Sequence, residues 1–378
     1  MLFGYYSQNP ILFTLLCLLS VSVLIQILYY WGIFARVAFF KQKNDYIRKD
    51  EPVSVIICAR DEYYNLQENL PLFLQQDYTN YEVVVVNHAS EDDSQYLLED
   101  LSKIYPNLKI VNLPADLNFF TGKKFPLSIG IKSARYDICV FTDADCQPRS
   151  NDWLRKIASN FTFGTEIVLG YGAYKHEKGL LNRFIRFDTL RIAMQYMGFA
   201  LTGFPYMGVG RNLAYRKSLF YRHNGFISHY RIRTGDDDLF INKAATSKNT
   251  RIEIRKESHT VSKPKTAFRQ WIRQKRRHLT SGIHYKFRHR FLLALNGISQ
   301  FLFYALVIFL LVIWYQPYIV IGLAALRLIS QLYVIQRIMR RFTEKGFLFM
   351  VPIFELFLLI LTPVLVMTNS FYKPPKWR

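Results

Sequence analysis

The sequence predicts an α/β domain, a parallel sheet with helices on both faces, set between one N-terminal membrane anchor and about three C-terminal membrane segments. Three observations predict it. Across residues 51–262 short β-branched runs alternate with helical stretches, which is βαβ rhythm. Residues 11–34 carry no charge, and at ~1.5 Å per residue that run is long enough to cross a hydrocarbon core of about 30 Å. Three further apolar segments follow residue 290.

The anchor occupies residues 1–35. Its first six residues contain no Lys or Arg, its apolar run is long for a signal peptide, and no small-residue cleavage site follows, so it reads as uncleaved. Arg36, Lys41 and Lys43 come next, and the positive-inside rule then places the following domain in the cytoplasm, against the inner (plasma) membrane. In that domain, residues 50–262, the pattern gives strands over 53–58, 82–86, 109–113 and 138–141. Helices are expected over 65–76, 94–104 and 126–133.

Residues 263–290 change character. Ten Lys or Arg are interleaved with Phe268, Trp271, Ile272, Leu279 and Ile283 near a helical period, which predicts an amphipathic helix in the membrane interface. Apolar segments over 291–314, 318–335 and 347–367 make up a C-terminal membrane region, residues 291–370. The turn Tyr315-Gln316-Pro317 is uncharged, whereas Arg337, Arg340, Arg341 and Lys345 fill the next loop, as an outside turn and a cytoplasmic loop should. Three full crossings would leave Lys373, Lys376 and Arg378 outside, against the rule; the alternative is that one segment is re-entrant or interfacial. Arg327 and Glu355 fall near the middle of apolar segments, where a lone charge costs about 2.5–3.5 kcal/mol on insertion scales, and they are expected to pair.

Cys17, Cys58, Cys139 and Cys146 show no C-x-x-C spacing and read as reduced packing residues. A net charge of +21 invites a nucleic-acid reading, but the basic residues flank membrane segments, where anionic head groups attract them. Membrane lipids are therefore the expected partners, and no nucleic acid is.

Asp143-Ala144-Asp145 ends the apolar run 138–141 and so puts two carboxylates at the mouth of a buried strand. In open α/β sheets that edge faces the ligand crevice, where Mg2+ or Mn2+ takes carboxylate oxygens and a diphosphate completes its shell. Other blocks stand in fixed order around it: Val53-Ser54-Val55-Ile56-Ile57-Cys58-Ala59-Arg60-Asp61-Glu62; Val83 onward to Asn87-His88-Ala89-Ser90-Glu91-Asp92-Asp93; Gly122-Lys123-Lys124; Gly208-Val209-Gly210-Arg211-Asn212; Thr234-Gly235-Asp236-Asp237-Asp238-Leu239; and Gln274-Lys275-Arg276-Arg277-His278.

In this order, over residues 52–278, the blocks resemble the family 2 glycosyltransferases, inverting enzymes of the GT-A fold that use nucleotide-sugar donors. The resemblance implies donor binding by Arg60 and Glu62, with Asp61 in place of the family's usual Asn. His88 stands where the family has the aspartate that meets the base, and Lys123 is placed to neutralise phosphate. It implies a metal on Asp143 and Asp145, and one general base in the acidic triplet. Register favours Asp237, with Asp236 as its acidic neighbour, and three consecutive acids leave the choice open by one position. Gln274 and Arg277 match the motif that closes the donor site, with His278 replacing its Trp, and Gly210, Arg211 and Asn212 lie in the loop that shapes the acceptor site. The implied function is transfer from a UDP- or GDP-sugar to a hydroxyl of a lipid-linked or glycan acceptor at the cytoplasmic face. The alternatives are a processive polysaccharide synthase and a nonenzymatic membrane subunit that binds a nucleotide sugar.

Overall fold

A computed structural model of the chain describes residues 9–42, 51–114, 122–232 and 234–371. The first six residues, Lys43 and the tail cations Lys373, Lys376 and Arg378 lie outside them. The chain enters through α1 (Pro10–Ala38), 29 residues without an acidic side chain. The domain follows as β1 (Val53–Ala59), α2 (Tyr63–Leu74), β2 (Tyr81–His88), α3 (Ser94–Ile104), β3 (Leu108–Leu113), α4 (Lys124–Ser133) and β4 (Ile138–Asp143). These are the elements the βαβ rhythm predicted, with ends moved by one or two residues.

Every residue of β1 is buried, because helices cover both faces of the sheet. Strand alternation splits its side chains between two cores. Val53, Val55 and Ile57 pack with Leu66, Leu70 and Phe73 of α2; Ile56 and Cys58 pack with Leu127 and Ile131 of α4. α4 lies close on the sheet at Gly130, where a Cβ would come within 2.8 Å of Ile56 and 2.9 Å of Val86, so a larger residue would push the helix away.

After β4 the chain forms β5 (Cys146–Pro148), α5 (Trp153–Ala158), β6 (Ile167–Leu169), β7 (Gly172–Tyr174) and α6 (Leu180–Leu201). It returns through β8 (Leu213–Arg216), α7 (Lys217–Arg222), α8 (Asp238–Ala244), β9 (Thr250–Ile252) and β10 (Thr260–Ser262). The main sheet has order β3-β2-β1-β4-β8-β6-β9, and β5-β10-β7 form a small second sheet. The expectation of a parallel sheet holds for β3, β2, β1 and β4, whereas β8 runs antiparallel to β4, with Phe141 opposite Leu213. The reason is the path of the chain. It leaves β4 at the Asp143 edge and re-enters β8 from the same edge, so the two strands must run oppositely.

The basic segment is not one helix. α9 covers Phe268–His278, a short turn at Gly282–His284 follows, and α10 starts at Phe287 and runs to Val312. The break occurs where Ser281 and Tyr285 both donate to the Asp238 carboxylate and draw the chain into the domain. α11 (Pro317–Arg341) and α12 (Val351–Phe371) complete the fold. Among the described residues four helices are long and apolar enough to cross a membrane, one before the α/β domain and three after it.

The expected pairing of Arg327 with Glu355 is present. Arg327 is fully buried in α11 and its Nη2 lies 2.6 Å from Glu355 Oε2 on α12. α12 also differs from the other apolar helices. Just before it, Glu344 is buried against Arg186 of α6, and Phe354 and Phe357 pack on Phe184 at 5.3 and 5.4 Å. Near its other end Asn369 exchanges two hydrogen bonds of 2.9 Å with Arg276 of α9. A 21-residue helix is about 30 Å long. With both ends tied to the α/β domain, α12 lies alongside α9 instead of pointing away from it.

Candidate active site

One cavity of about 1610 Å³ opens at the carboxyl edge of the central strands and continues between α10 and α12. β4 delivers Asp143 and Asp145 to its wall. Lys123, at the start of α4, donates a short hydrogen bond to Asp143 Oδ1. Burial works against the Asp143 charge, but the Lys123 ammonium, with Arg211 and Arg277 further off, outweighs it and holds the carboxyl below the usual range. Burial and then the Asp143 charge push Asp145 the other way, above that range. Glu62 joins them: burial raises its carboxyl, Asn65 donates to it at 2.5 Å, and both aspartates add repulsion.

Three acids this close favour a cation. The oxygens of Asp143 and Asp145 and the Cys146 sulfur all lie within 4.8 Å of one another. The thiol is pushed up to about 12 by burial and the neighbouring Asp145, and it sits 3.0 Å from Ser262 Oγ, so the usable donors are carboxylate oxygens. Hard oxygen donors suit Mg2+ or Mn2+ better than a thiolate-seeking metal.

The acidic triplet approaches from the opposite wall. Gly235 takes φ +92°, a left-handed turn, and a Cβ there would run into the Leu239 side chain, so glycine is required where the chain turns into α8. Asp238 accepts from the Ser281 and Tyr285 hydroxyls. Asp237 caps α8: its Oδ1 accepts from the Asp238 N–H at 2.7 Å and its Oδ2 from the Gly210 N–H at 2.8 Å. Burial first, then Asp236 and Asp238, push the Asp237 carboxyl up to about 8 against those two donors. Asp236 lines the same wall.

Lys124, adjacent to Lys123, has a different task. Its buried Nζ donates to the carbonyls of His229, Ile232 and Thr234 at 2.8, 2.5 and 2.6 Å, and so pins the loop that leads into the triplet. Burial lowers it to about 8, against the pull of the three aspartates. Lys124→Met is expected to leave three carbonyls without a donor and to destabilise the fold by about 1–3 kcal/mol. Thermal unfolding beside Lys123→Met, which removes no such strut, checks this.

α9 closes the cavity. Gln274 donates to the Tyr174 hydroxyl at 3.1 Å, and Arg277 lies near enough to Asp143 to lower it. Arg211 stacks over the Tyr174 ring at 4.2 Å and bonds the Ala173 carbonyl at 3.3 Å. The cavity thus gathers Glu62, Lys123, Asp143, Asp145, Asp236, Asp237, Gly210, Arg211, Gln274 and Arg277. Arg60, His88 and Asn212 are not on its wall. Arg60 follows the end of β1, and His88 is buried at the end of β2. Asn212 is fully buried and holds the strands together: its amide donates to the Tyr171 and Ser258 carbonyls at 2.9 and 2.8 Å.

Sequence reasoning passed over α6, which lines the cavity with Asp188, Arg191 and Gln195. A signal was available. These residues recur at i, i+3 and i+7 in an otherwise apolar stretch, which is one face of a helix.

Residues 54–223 match the family Glycosyl transferase family 2. An uncharacterised glycosyltransferase of Haemophilus influenzae is 29% identical over 107 residues, 28% of this chain and 32% of that protein. Glycosyltransferase AglE of Haloferax volcanii is 29% identical over 130 residues, 34% of this chain and 41% of that protein. The matched region therefore spans only 32% and 41% of these relatives' length. Among solved structures, the mannosyltransferase PcManGT from Pyrobaculum calidifontis, in complex with GDP-Man and Mn2+, superposes with a TM-score of 0.60 at 18% identity. That likeness covers 96% of this chain and 99% of the other, so the two share the fold along nearly their whole length. From the order of its strands, the acids at the edge of β4 and this sequence match, the chain carries over residues 54–223 a domain of glycosyl transferase family 2.

Proposed function

We propose that the chain is an inverting glycosyltransferase that moves a sugar from a UDP- or GDP-sugar to a hydroxyl of a lipid-linked acceptor at the cytoplasmic face of the membrane. The observation that carries this reading is the continuity of the cavity. The same space reaches from Asp143 past Asp237 to a slot lined by Leu293, Gly297 and Phe301 of α10 and Leu358 and Pro363 of α12. A lipid could present its head to the site with its chain still among apolar side chains.

Asp143 and Asp145 would hold Mg2+ or Mn2+, which supplies positive charge for the donor diphosphate. Lys123 and Arg277 add charge at the same edge; the ammonium is a point charge, while the guanidinium fits two oxygens in its plane. Asp237 takes the proton of the acceptor hydroxyl as its oxygen bonds to the anomeric carbon, and the bond to the nucleoside diphosphate breaks on the opposite side. One displacement uses one base. The protein's part is to aim Asp237 through two backbone N–H groups and to exclude water with α9. PcManGT, with GDP-Man and Mn2+ bound on the same fold, supports this donor class.

The placement of α12 beside α9 supports a topology in which α1, α10 and α11 cross and α12 lies along the surface. That topology agrees with the positive-inside rule for a sequence that ends in a basic stretch. The slot sets Asn296, Gln300, Glu355 and Thr362 among a majority of apolar residues, and that majority favours a lipid acceptor over a processive synthase, whose conducted glycan chain needs a polar lining.

Thermal unfolding of detergent-purified protein with UDP, GDP and their sugars, each with Mn2+ and again with EDTA, tests the donor site. A metal-dependent stabilisation of about 2.7 kcal/mol is expected at ~100 times the dissociation constant, lost in Asp143→Asn. If no nucleotide shifts the transition at millimolar concentration, the reading fails.

A further inference from the structure

Midway along α6 the cavity wall carries a charge cluster that the donor chemistry does not use. Lys275 Nζ sits 2.8 and 2.6 Å from the two oxygens of Asp188, and Arg191 Nη2 lies 3.1 Å from Oδ1. Asp188 and Lys275 are buried, so two cations share one carboxylate and the cluster holds one unmatched positive charge. Arg191 Nε is enclosed without a hydrogen-bond partner, although Arg191 lines the cavity. Protein interiors seldom leave a charged donor in that state unless something else completes it.

The electrostatics agree with the geometry. Burial opposes the Asp188 charge, but Lys275 and Arg191 outweigh it and hold the carboxyl below its usual range. Burial pushes the Lys275 ammonium down even with that carboxylate beside it, and Arg191 adds to the push. This corner of the cavity is short of negative charge.

Tyr206, whose titration Arg191 influences, packs on Tyr285 at 5.7 Å, and Tyr285 donates to Asp238 of the triplet. The cations that act on Asp143 include Lys123, Arg211 and Arg277, whereas Arg191 acts on Asp188, Lys275 and Tyr206, and Tyr206 also feels Asp238. Ile192, the next residue of α6, lines the same cavity as Leu293, Phe301 and Leu358 of the slot. An anionic head at Arg191 would have its chain in that slot and its polar end toward the triplet.

We propose that Arg191, backed by Lys275, binds the phosphate-ester head of the lipid acceptor. This rests on the lipid-acceptor reading above and adds the chemistry of the head group. Arg191 supplies a planar, partly exposed guanidinium suited to two phosphate oxygens. Lys275 keeps Asp188 occupied, so the carboxylate does not repel the incoming anion.

The test is thermal unfolding in an uncharged maltoside detergent, titrating hexadecyl phosphate, hexadecanol and inorganic phosphate into wild type, Arg191→Gln and Arg191→Lys. Hexadecyl phosphate should stabilise the wild type at concentrations where the other two do not. Arg191→Gln should weaken that effect about tenfold or more, with Arg191→Lys in between. The UDP or GDP shift with Mn2+ should stay unchanged in Arg191→Gln, where Asp188 remains paired with Lys275. Equal stabilisation by hexadecanol would mean that no phosphate is recognised, and equal stabilisation by inorganic phosphate would make this a free-anion site. An unchanged midpoint in Arg191→Gln, or loss of the nucleotide shift along with the lipid one, would also overturn the proposal. If the wild type shows no nucleotide shift but an Arg191-dependent shift with hexadecyl phosphate, the glycosyltransferase reading fails while the anionic lipid site stands.

Discussion

Asp237→Asn is expected to lower sugar transfer by about 10²–10⁴-fold while nucleotide binding is kept. The amide keeps the shape, and its single oxygen can accept from one of the Gly210 and Asp238 N–H groups, but it takes no proton from the acceptor. A measurement of transfer and of the nucleotide thermal shift on the same preparation separates the two effects. Transfer surviving in Asp237→Asn and lost in Asp236→Asn would move the base by one position. Wild type that binds nucleotide and never transfers would support the nonenzymatic reading.

The same carboxyl sets a pH dependence. Because Asp237 is pushed up to about 8, the free enzyme holds it protonated at neutral pH, and kcat/KM should rise about tenfold per pH unit up to about 8 before levelling. Stability runs the other way. The folded pKa lies above the ordinary carboxylate value, so the stability tied to this group is fully present below pH 4 and lost as pH rises through about 8. Asp237→Asn should therefore unfold at a higher temperature than wild type at pH 8 to 9, a gain in stability where activity is lost.

Removing either partner of the Arg327–Glu355 pair is expected to cost about 3–5 kcal/mol. Glu355 accepts from Arg327 at 2.6 Å, Tyr304 at 2.7 Å, and Tyr30 and Gln300 at 3.1 Å, so one carboxylate joins α1, α10, α11 and α12. Arg327→Met leaves the acid buried without its cation, and Glu355→Met leaves the cation without its acid. Replacing both with Met removes the desolvation of two charges and should recover much of the loss. Unfolding of the two single variants and the double variant gives the coupling directly. Additive losses would show that the residues act separately.

Some of this was readable from residue order alone. The runs at 53–58, 82–86 and 138–141 are apolar and β-branched because both faces of their sheet are covered, and burial of that kind leaves a local signature. The uncharged run at 11–34 is explicit for a similar reason. The acids at 143 and 145 were legible because the strand that delivers them is. The region between Asp145 and Thr260 was not: β5, β6, β7, β9 and β10 have three residues each, too few for a period, and their pairing is non-local. The antiparallel insertion of β8 depends on which edge the chain re-enters.

What the sequence by itself determined, then, is the class of the domain, the apolar helices around it and the inventory of charged residues available to a site. Only the tertiary structure decided how those charges are shared. Lys123 and Lys124 are adjacent and chemically alike, yet one reaches Asp143 and the other is spent on three carbonyls. Asp237 and Asp238 are equally acidic, yet two hydroxyls, of Ser281 and Tyr285, bond one while two backbone N–H groups hold the other. Arg191 and Lys275 are 84 positions apart and meet on one carboxylate. Strand and helix follow from near-neighbour sterics and burial pattern, which sequence carries. A buried charge takes its role from partners that the fold brings together from distant positions.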